Sequence, residues 1–532
     1  MSCSRAQAVL DAYGAAIGAC ADAGKEALAG DAAWLLMAEA SEILVAKGKK
    51  VLRLEPQAGR ETVLAAVLGR SGTLRAAHAA PGEALSGRLE RSAVPGISGG
   101  RTTTMKDFSA DLAARLEALR LNGQLRSLVT VEHQFGGLKA GGRTYVNLAG
   151  NDYLGLATNA DFCRAFYEEV QAGGRLASFA LGSTGSRLMT GNTASCTRFE
   201  EELASFYDRE AALFFNSGYH INLGILPALA GRNDLIVADK LCHASLIDGM
   251  RLSRARVLRY PHLDYAAIER ILARERAAHD HAFLVTESIF SMDGDCAHLP
   301  ELVRLKEKWN AVLYVDEAHG VGIRGPKGLG LAEEQQALDG IDLLIGTCGK
   351  AYGGMGAFVC AKRVIIDYLI NTARPQIFST SLPPVNLEWL RFVLKRLPEL
   401  NTARKRVADM AARLREALGG LGLRTAGASN IVPVIIGDAG RAVAVAEVLR
   451  EAGYWVSAVR PPTVPQGTSR LRLSLNAAMS WETLAPLPKL IAQALSTAEF
   501  QFHISGIKRV SPPPASNSAS FFRKSASSKL TG

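Results

Sequence analysis

From Tyr145 onward the sequence alternates short apolar runs with segments of helical period, and that alternation limits the folds open to it. Leu213-Phe-Phe215, Leu235-Ile-Val-Ala238, Phe283-Leu-Val-Thr286, Val312-Leu-Tyr-Val315 and Leu343-Leu-Ile345 are short and apolar at consecutive positions. Runs of that kind suit strands buried on both faces. Between them Phe199 to Tyr207, Ala266 to Leu272 and Leu302 to Trp309 carry apolar residues three and four apart, as helices do. The expectation is an α/β unit with a mostly parallel sheet covered by helices on both faces. Such sheets take ligands beyond the carboxyl ends of their strands. The residues that follow each run are therefore where chemistry should be sought.

The rest of the chain divides around this unit. Residues 1–104 read as a separate N-terminal extension of unknown role. Leu35 to Val45 is a helix candidate, Lys50-Val-Leu-Arg-Leu54 a strand and Glu61 to Leu68 a second helix. An amphipathic helix fits Tyr13 to Ala21, between Asp11 and Asp22, better than a signal peptide does. Lys47 to Leu54 and Val67 to Arg75 loosely resemble the C-terminal half of thioredoxin-like, arsenate-reductase-related proteins. No C-x-x-C accompanies them, so no redox activity follows. Pro81 to Gly100, rich in Gly, Ser and Pro, reads as a linker. Met105 then reads as the working start of the catalytic unit, with the preceding residues a fused module or a gene-calling artefact. Residues 105–145 form its N-terminal arm, with a helix over Asp111 to Leu121, and 146–385 its large domain. After Pro383-Pro384 the pattern changes to long helices, Arg404 to Leu418 and Arg441 to Ala452. With them go strands over Asn430 to Ile436, Tyr454 to Val459 and Leu471 to Leu475 and a helix from Trp481. This is a smaller α+β domain, 386–497. Residues 498–532, Ser/Pro-rich and basic, read as a disordered tail.

Composition narrows the function. No apolar run approaches the roughly 18 residues that cross a bilayer. The formal charge of +10 owes much to Lys508, Arg509, Arg523, Lys524 and Lys529 of the tail, and no nucleic-acid motif accompanies it. The eight cysteines are scattered and form no C-x-x-C pair, which argues against zinc and a disulfide framework and for a reduced cytoplasm.

Three clusters follow strands. Lys350 lies after Leu343 to Ile345, in a loop with Gly349, Gly353, Gly354 and Gly356. Small neighbours let a lysine enter a pocket closely, which suits a Schiff-base lysine. Taken alone, the stretch fits a surface lysine on a turn better. Asp316 ends the strand before it, where a carboxylate is costly without a cation. A protonated pyridine nitrogen is one such cation, but a capped turn or a metal would serve equally. His319 is either a core histidine or a donor to a cofactor oxygen. Asn216-Ser-Gly-Tyr219 sits at a strand-to-helix junction, where backbone N–H groups can hold a phosphate, and Tyr219 could cover a ring. A Schiff-base lysine with an aspartate partner is the equipment of pyridoxal phosphate chemistry.

Residues 105–497 resemble the α-oxoamine synthases, acyltransferases of the pyridoxal-phosphate type I fold. The resemblance rests on Asn151-Asp-Tyr-Leu-Gly-Leu156, Gly182-Ser-Thr-Gly-Ser-Arg187, Asp239 to Leu246, Thr286 to Asp295, Val315 to Gly320, Thr347 to Lys350 and Val459 to Leu473. Arg460-Pro-Pro-Thr-Val-Pro465 is most similar to the oxononanoate-synthase branch. What the resemblance implies is a homodimer in the cytoplasm that condenses L-alanine with a pimeloyl thioester on coenzyme A or an acyl carrier protein, in biotin biosynthesis. It implies that Lys350, His243 and Asp316 are catalytic. It gives Lys350 the cofactor's aldehyde and the substrate's Cα proton, Asp316 the ring nitrogen, His243 the ring face, and Ser291 and His319 the phenolic oxygen. Gly218, Tyr219 and Thr347 would hold the phosphate, with Thr380 from a second subunit. Arg472 would take the amino acid's carboxylate. Arg126, placed in the helix after Met105, matches the acyl-substrate channel, and Asn151 and Thr463 match other substrate contacts. No metal is implied. One departure is that Leu188 to Arg198 lacks the histidine common in the family near Ser195 or Cys196.

Overall fold

A computed structural model describes residues 35–39, 42–47, 50–54, 107–122, 124–174 and 180–504. The chain forms two compact units, Met1–Met105 and Lys106–Gly532.

In the first unit β1 (Leu35–Glu39), β2 (Glu42–Lys47) and β3 (Lys50–Leu54) make an antiparallel meander. Strand Lys50–Leu54 is where the sequence put it. The helix expected over Leu35 to Val45 is not formed: Leu35–Glu39 and Glu42–Lys47 are strands that pair antiparallel. Leu, Met, Ala and Glu favour helix there, but Ile43 and Val45 are β-branched and a third strand is close in sequence, so pairing overrides the local preference. The helix expected at Glu61 to Leu68, the linker, the arsenate-reductase-like match beyond Leu54 and the segment Tyr13 to Ala21 lie outside the described residues.

The second unit begins with α1 (Phe108–Leu121), capped by Asp107, whose carboxylate accepts from the Ser109 and Ala110 N–H groups. Asn122 ends it. Arg126 therefore lies in the extended segment beyond the helix rather than within it as expected; the Asn122-Gly123 pair is the helix stop that signals this. A meander of β4 (Glu132–Gln134), β5 (Gly137–Ala140) and β6 (Arg143–Asn147) follows.

The main sheet contains β7 (Ala211–Phe215), β8 (Leu235–Asp239), β9 (Arg256–Tyr260), β10 (Ala282–Glu287), β11 (Val312–Asp316), β12 (Leu343–Thr347) and β13 (Ala357–Ala361). Their order is β7-β13-β12-β11-β10-β8-β9. From β9 to β12 every neighbour is parallel, and β13 is antiparallel to both of its own. The parallel sheet read from the sequence is thus formed, with two strands that the sequence reading did not find. Successive residues face opposite layers. Phe214, Leu284, Leu313, Val315, Leu344 and Phe358 join one core. Leu213, Phe215, Phe283, Val285, Tyr314, Leu343 and Ile345 join the other. Burial on both faces explains the continuous apolar runs. Helices α2 (Gly218–Leu229) and α3 (Ala244–Leu252) follow β7 and β8.

The smaller C-terminal part has the sheet β14-β17-β16, built from β14 (Ile431–Gly437), β16 (Ser457–Val459) and β17 (Ser469–Ser474), all antiparallel. The short β15 (Tyr454–Trp455) instead joins β6. The final helix runs Leu487–Ile504, seven residues past the expected boundary at 497, so the start of the presumed tail is helical. Among the described residues no helix is long and apolar enough to cross a membrane.

Candidate active site

The carboxyl ends of β7, β8, β10, β11 and β12 lie along one edge of the sheet, and each feeds a loop with a polar group of interest. The β12–β13 loop sets Lys350. The Cys348 N–H donates to the Gly356 carbonyl at 2.8 Å and the Gly353 N–H to the Lys350 carbonyl at 2.9 Å. Gly353 has φ +61°, and a Cβ there would stand 2.7 Å from the Ala157 nitrogen. Only glycine fits that turn.

Lys350 Nζ is 2.7 Å from His319 Nε2, and His319 Nδ1 is 2.6 Å from the Tyr153 hydroxyl. The donors fix one consistent arrangement. Lysine can only donate, so Nε2 accepts and Nδ1–H donates to Tyr153. Tyr153 donates in turn to Asn151 Oδ1 at 3.1 Å. Burial, reinforced by Lys350 and Arg472, pushes His319 well below the ordinary histidine range, so the ring is neutral as this chain requires. Burial also lowers Lys350 to about 8, with Asp316 and Glu287 opposing it and Arg472 reinforcing it. An amine that loses its proton near neutrality is a usable nucleophile and base.

Asp316 is buried. Its Oδ2 accepts from Asn222 Nδ2 at 2.8 Å and its Oδ1 from the Ala318 N–H at 2.9 Å. Asn222 also donates to Ser245 Oγ at 2.9 Å and accepts from the Tyr314 hydroxyl. Ser245 Oγ is 2.8 Å from His243 Nδ1, which accepts from the Ser245 N–H as well. One network thus joins Asp316 to His243. Desolvation lowers the His243 pKa; Asp316 opposes this and Lys350 adds to it. Glu287 accepts from the His243 N–H. Burial, and then Asp316, holds its carboxyl well above the usual range. Asp316 and Lys350 thus act electrostatically on both His243 and Glu287, and the four residues share one site.

Arg472, on β17, reaches the same site from the smaller part of the chain. Its Nε donates to the Ser291 carbonyl at 2.7 Å and its Nη2 to Asn151 Oδ1 at 3.1 Å. It is 7% exposed, and no carboxylate among the described residues pairs with it. At the β7 end, Ser217 caps α2 by accepting from the His220 N–H. A Cβ on Gly218 would lie 3.3 Å from Thr347 Oγ1, so the Thr347 hydroxyl packs directly against the first residue of α2. The Tyr219 ring stands edge-on to His243 with centroids 6.4 Å apart, and its hydroxyl bonds Asp248. The Thr380 carbonyl accepts from Asn216 Nδ2 of the same chain at 2.7 Å. Arg126 Nη2 donates to Thr463 Oγ1 at 3.3 Å, and these two exposed residues form a pair of their own. Where a histidine was missed, Ser195 donates to Glu388 and Cys196 is fully buried.

This donor set fits pyridoxal phosphate: an available amine, a buried carboxylate whose charge that amine feels, and a helix N-terminus beside a hydroxyl. Tyr153, Ser245, Glu287 and Asn222 were not singled out in the sequence. The first three lie within motifs already quoted. Asn222 had one signal, a polar residue on the buried face of an otherwise apolar helix.

The class I and II aminotransferase family matches residues 143–490. The 8-amino-7-oxononanoate synthase of Chlorobaculum parvum is 46% identical over 377 residues, 71% of this chain and 96% of that protein. The chain belongs to the α-oxoamine synthase family. It is a pyridoxal-phosphate-dependent acyltransferase of the type I fold. A putative 8-amino-7-oxononanoate synthase of Pasteurella multocida is also 46% identical, over 72% of this chain and 98% of its own length. The Sphingomonas wittichii serine palmitoyltransferase structure superposes with a TM-score of 0.68 at 30% identity, covering 74% of this chain and all of that one. The Francisella tularensis 8-amino-7-oxononanoate synthase gives 0.56 at 28% identity, over 67% and 99%. An α-oxoamine synthase of this kind needs a base, a ring-nitrogen partner and a carboxylate receptor. Lys350, Asp316 and Arg472 have the surroundings those tasks require.

If Lys350 is the amine that takes the cofactor's aldehyde, its lowered pKa sets the pH dependence of cofactor capture. Only the neutral amine can attack the aldehyde. The rate at which the cofactor-free protein takes up pyridoxal phosphate should rise between pH 6.5 and 9 with a midpoint near 8. Stopped-flow absorbance checks this; a rate still climbing through pH 10 would mean an ordinary lysine.

Proposed function

We propose that this α-oxoamine synthase condenses L-alanine with a pimeloyl thioester, releasing carbon dioxide, the free thiol carrier and 8-amino-7-oxononanoate for biotin biosynthesis. The observation that carries the amino-acid half is the buried guanidinium of Arg472 without a carboxylate partner. A buried cation without an anion is costly, and a substrate carboxylate removes that cost through paired charge-assisted hydrogen bonds. The curated relatives carry the choice of branch.

Pyridoxal phosphate, when bound, supplies an electrophilic aldehyde and an electron-withdrawing ring. Gly218, Tyr219 and Thr347, with the α2 N-terminus, hold its phosphate, and in a homodimer the second protomer would add its Thr380, distinct from the Thr380 that bonds Asn216 within this chain. Asp316 keeps the ring nitrogen protonated and is itself held in place by Asn222. His243 covers the ring face and Ser291 donates to the phenolic oxygen; His319 donates to the same oxygen in its other tautomer, with Nε2–H as donor and Nδ1 accepting from the Tyr153 hydroxyl, once Lys350 no longer donates to it. Lys350, coming from the β12 end, removes the proton from the amino acid's α-carbon and returns it; the neutral His319 beside it orients the amine. Asn151 orients Arg472. Arg126 and Thr463, bonded together, line the route of the acyl chain. The scattered cysteines support a reduced, cytoplasmic setting.

Arg472→Ala should raise KM for the amino acid by about 2–5 kcal/mol, some thirty-fold to several thousand-fold. Arg472→Lys should recover only part of this, since lysine cannot match the bidentate geometry. Initial rates against amino-acid concentration check both. The choice of substrate is tested by mass spectrometry of products from alanine, glycine or serine with pimeloyl-coenzyme A. Alanine should give the oxononanoate with one carbon dioxide per thiol released. Product from serine or glycine alone would assign the chain to another branch.

A further inference from the structure

We propose that His262 is a positioning residue: it fastens the loop that carries His243 to the loop that carries Ser291 and so keeps two sides of the cofactor pocket in register. It touches none of the reacting groups itself. His262 Nδ1 is 2.9 Å from Asp239 Oδ1, and its Nε2 bonds Asp295 Oδ2. Asp239 closes β8, four residues before His243. It is fully buried and also accepts from the Leu241 N–H at 2.8 Å and the Leu263 N–H at 2.9 Å. Asp295 lies in the turn beyond β10, four residues after Ser291. Its other oxygen, Oδ1, is buried without a hydrogen-bond partner among the described residues, so within them His262 supplies the one hydrogen bond of this carboxylate.

The Asp295 loop is held from the other side too. Asp293 pairs with Arg470, and the Ser291 carbonyl accepts from Arg472, both on β17. The Gly294 carbonyl accepts from the Ala428 and Ser429 N–H groups at 3.0 and 3.1 Å. The strap 290–295 thus joins the strand of Arg472 to the large domain, and His262 is its anchor on the large-domain side. The Phe290 ring stands edge-on to the imidazole with centroids 4.4 Å apart, closing the third side. Arg259, just before it, donates to the Lys240 carbonyl. Tyr265, just after it, accepts from the His298 N–H. The charged groups facing the ring are therefore the two carboxylates.

Gripping both carboxylates requires both ring nitrogens to donate, which only the imidazolium can do. Burial disfavours that charge, but the bonds to Asp239 and Asp295 outweigh it and hold the pKa at about 9. A raised pKa means the stabilisation is complete below about 6.5, and it is lost as pH climbs through about 9.

This inference rests on the cofactor reading above. The test is equilibrium titration of cofactor-free protein with pyridoxal phosphate, followed by visible absorbance, for wild type, His262→Ala and Asp295→Asn. At pH 7.5 the dissociation constant of His262→Ala should exceed wild type about ten-fold or more. The ratio of the two cancels the titration of Lys350. It should shrink toward one at pH 10, where the wild-type imidazole is neutral. Asp295→Asn removes one carboxylate, so its alkaline loss of affinity, divided by that of His262→Ala, should begin at lower pH than wild type's. If His262→Ala does not fold, the wild-type to Asp295→Asn ratio carries the same test. A ratio near one at pH 7.5, or one that is the same at pH 7.5 and 10, would overturn the clamp. Wild type failing to bind the cofactor would instead overturn the reading beneath it.

Discussion

Lys350→Ala will lower turnover at least about 10⁴-fold, the upper end of what one positioned acid–base group supplies and equal to about 5.4 kcal/mol of barrier. The reason is that the proposed function gives one amine two jobs, taking the cofactor's aldehyde and moving the proton at the substrate's α-carbon. No other lysine contacts His319 among the described residues, so nothing stands ready to replace it. The fold should survive. Lys350 is partly buried, its turn is fixed by backbone bonds of Cys348 and Gly353 rather than by its side chain, and removal deletes a charge that burial already disfavours. Circular dichroism should match wild type while the visible band given by added pyridoxal phosphate is lost. Adding a small primary amine should restore part of the rate, because the space and the His319 acceptor remain.

Asp316→Asn should be nearly as damaging. Both carboxylate oxygens of Asp316 already accept, from Asn222 and from the Ala318 N–H. An amide can accept on one side only, so its NH₂ must face one of those donors. The variant loses the negative charge opposite the ring nitrogen and leaves a buried donor unmet. Removing one partner of a buried charge pair costs about 3–5 kcal/mol, which corresponds to a kcat lower by about 2.2 to 3.7 orders of magnitude. Steady-state rates at saturating pyridoxal phosphate measure this. Asp316→Glu should not rescue it, because the longer arm displaces Asn222 and with it the bond to Ser245 and His243. A variant with near-normal kcat would show that the ring nitrogen needs no anionic partner here.

The parts of this molecule legible in its sequence were those where burial leaves a continuous trace. β7, β8, β10, β11 and β12 are covered on both faces and read as apolar runs. β9 did not, because it lies at the sheet edge and Arg256 and Arg259 point to solvent. β13 was hidden because its five residues follow straight on from the glycine loop of Lys350. The hairpin at Leu35–Lys47 depends on pairing with β3, which a helix-prone local sequence conceals. Arg126 lies one element beyond the helix that its neighbours suggest, because Asn122 caps that helix at Leu121. At the site, the residues that act directly stand at strand ends and could be found there. Those that hold them, Asn222 against Asp316 and Tyr153 against His319, act across 94 and 166 residues of chain, and spacing alone carries no sign of such distances.

On the proposed function, Lys350 is the residue that receives the cofactor's aldehyde. Borohydride treatment of the wild-type protein with pyridoxal phosphate, followed by digestion and mass spectrometry, tests it directly. One cofactor per chain on the peptide containing Lys350 is the result expected. A label on a different lysine, or spread over several, would contradict it.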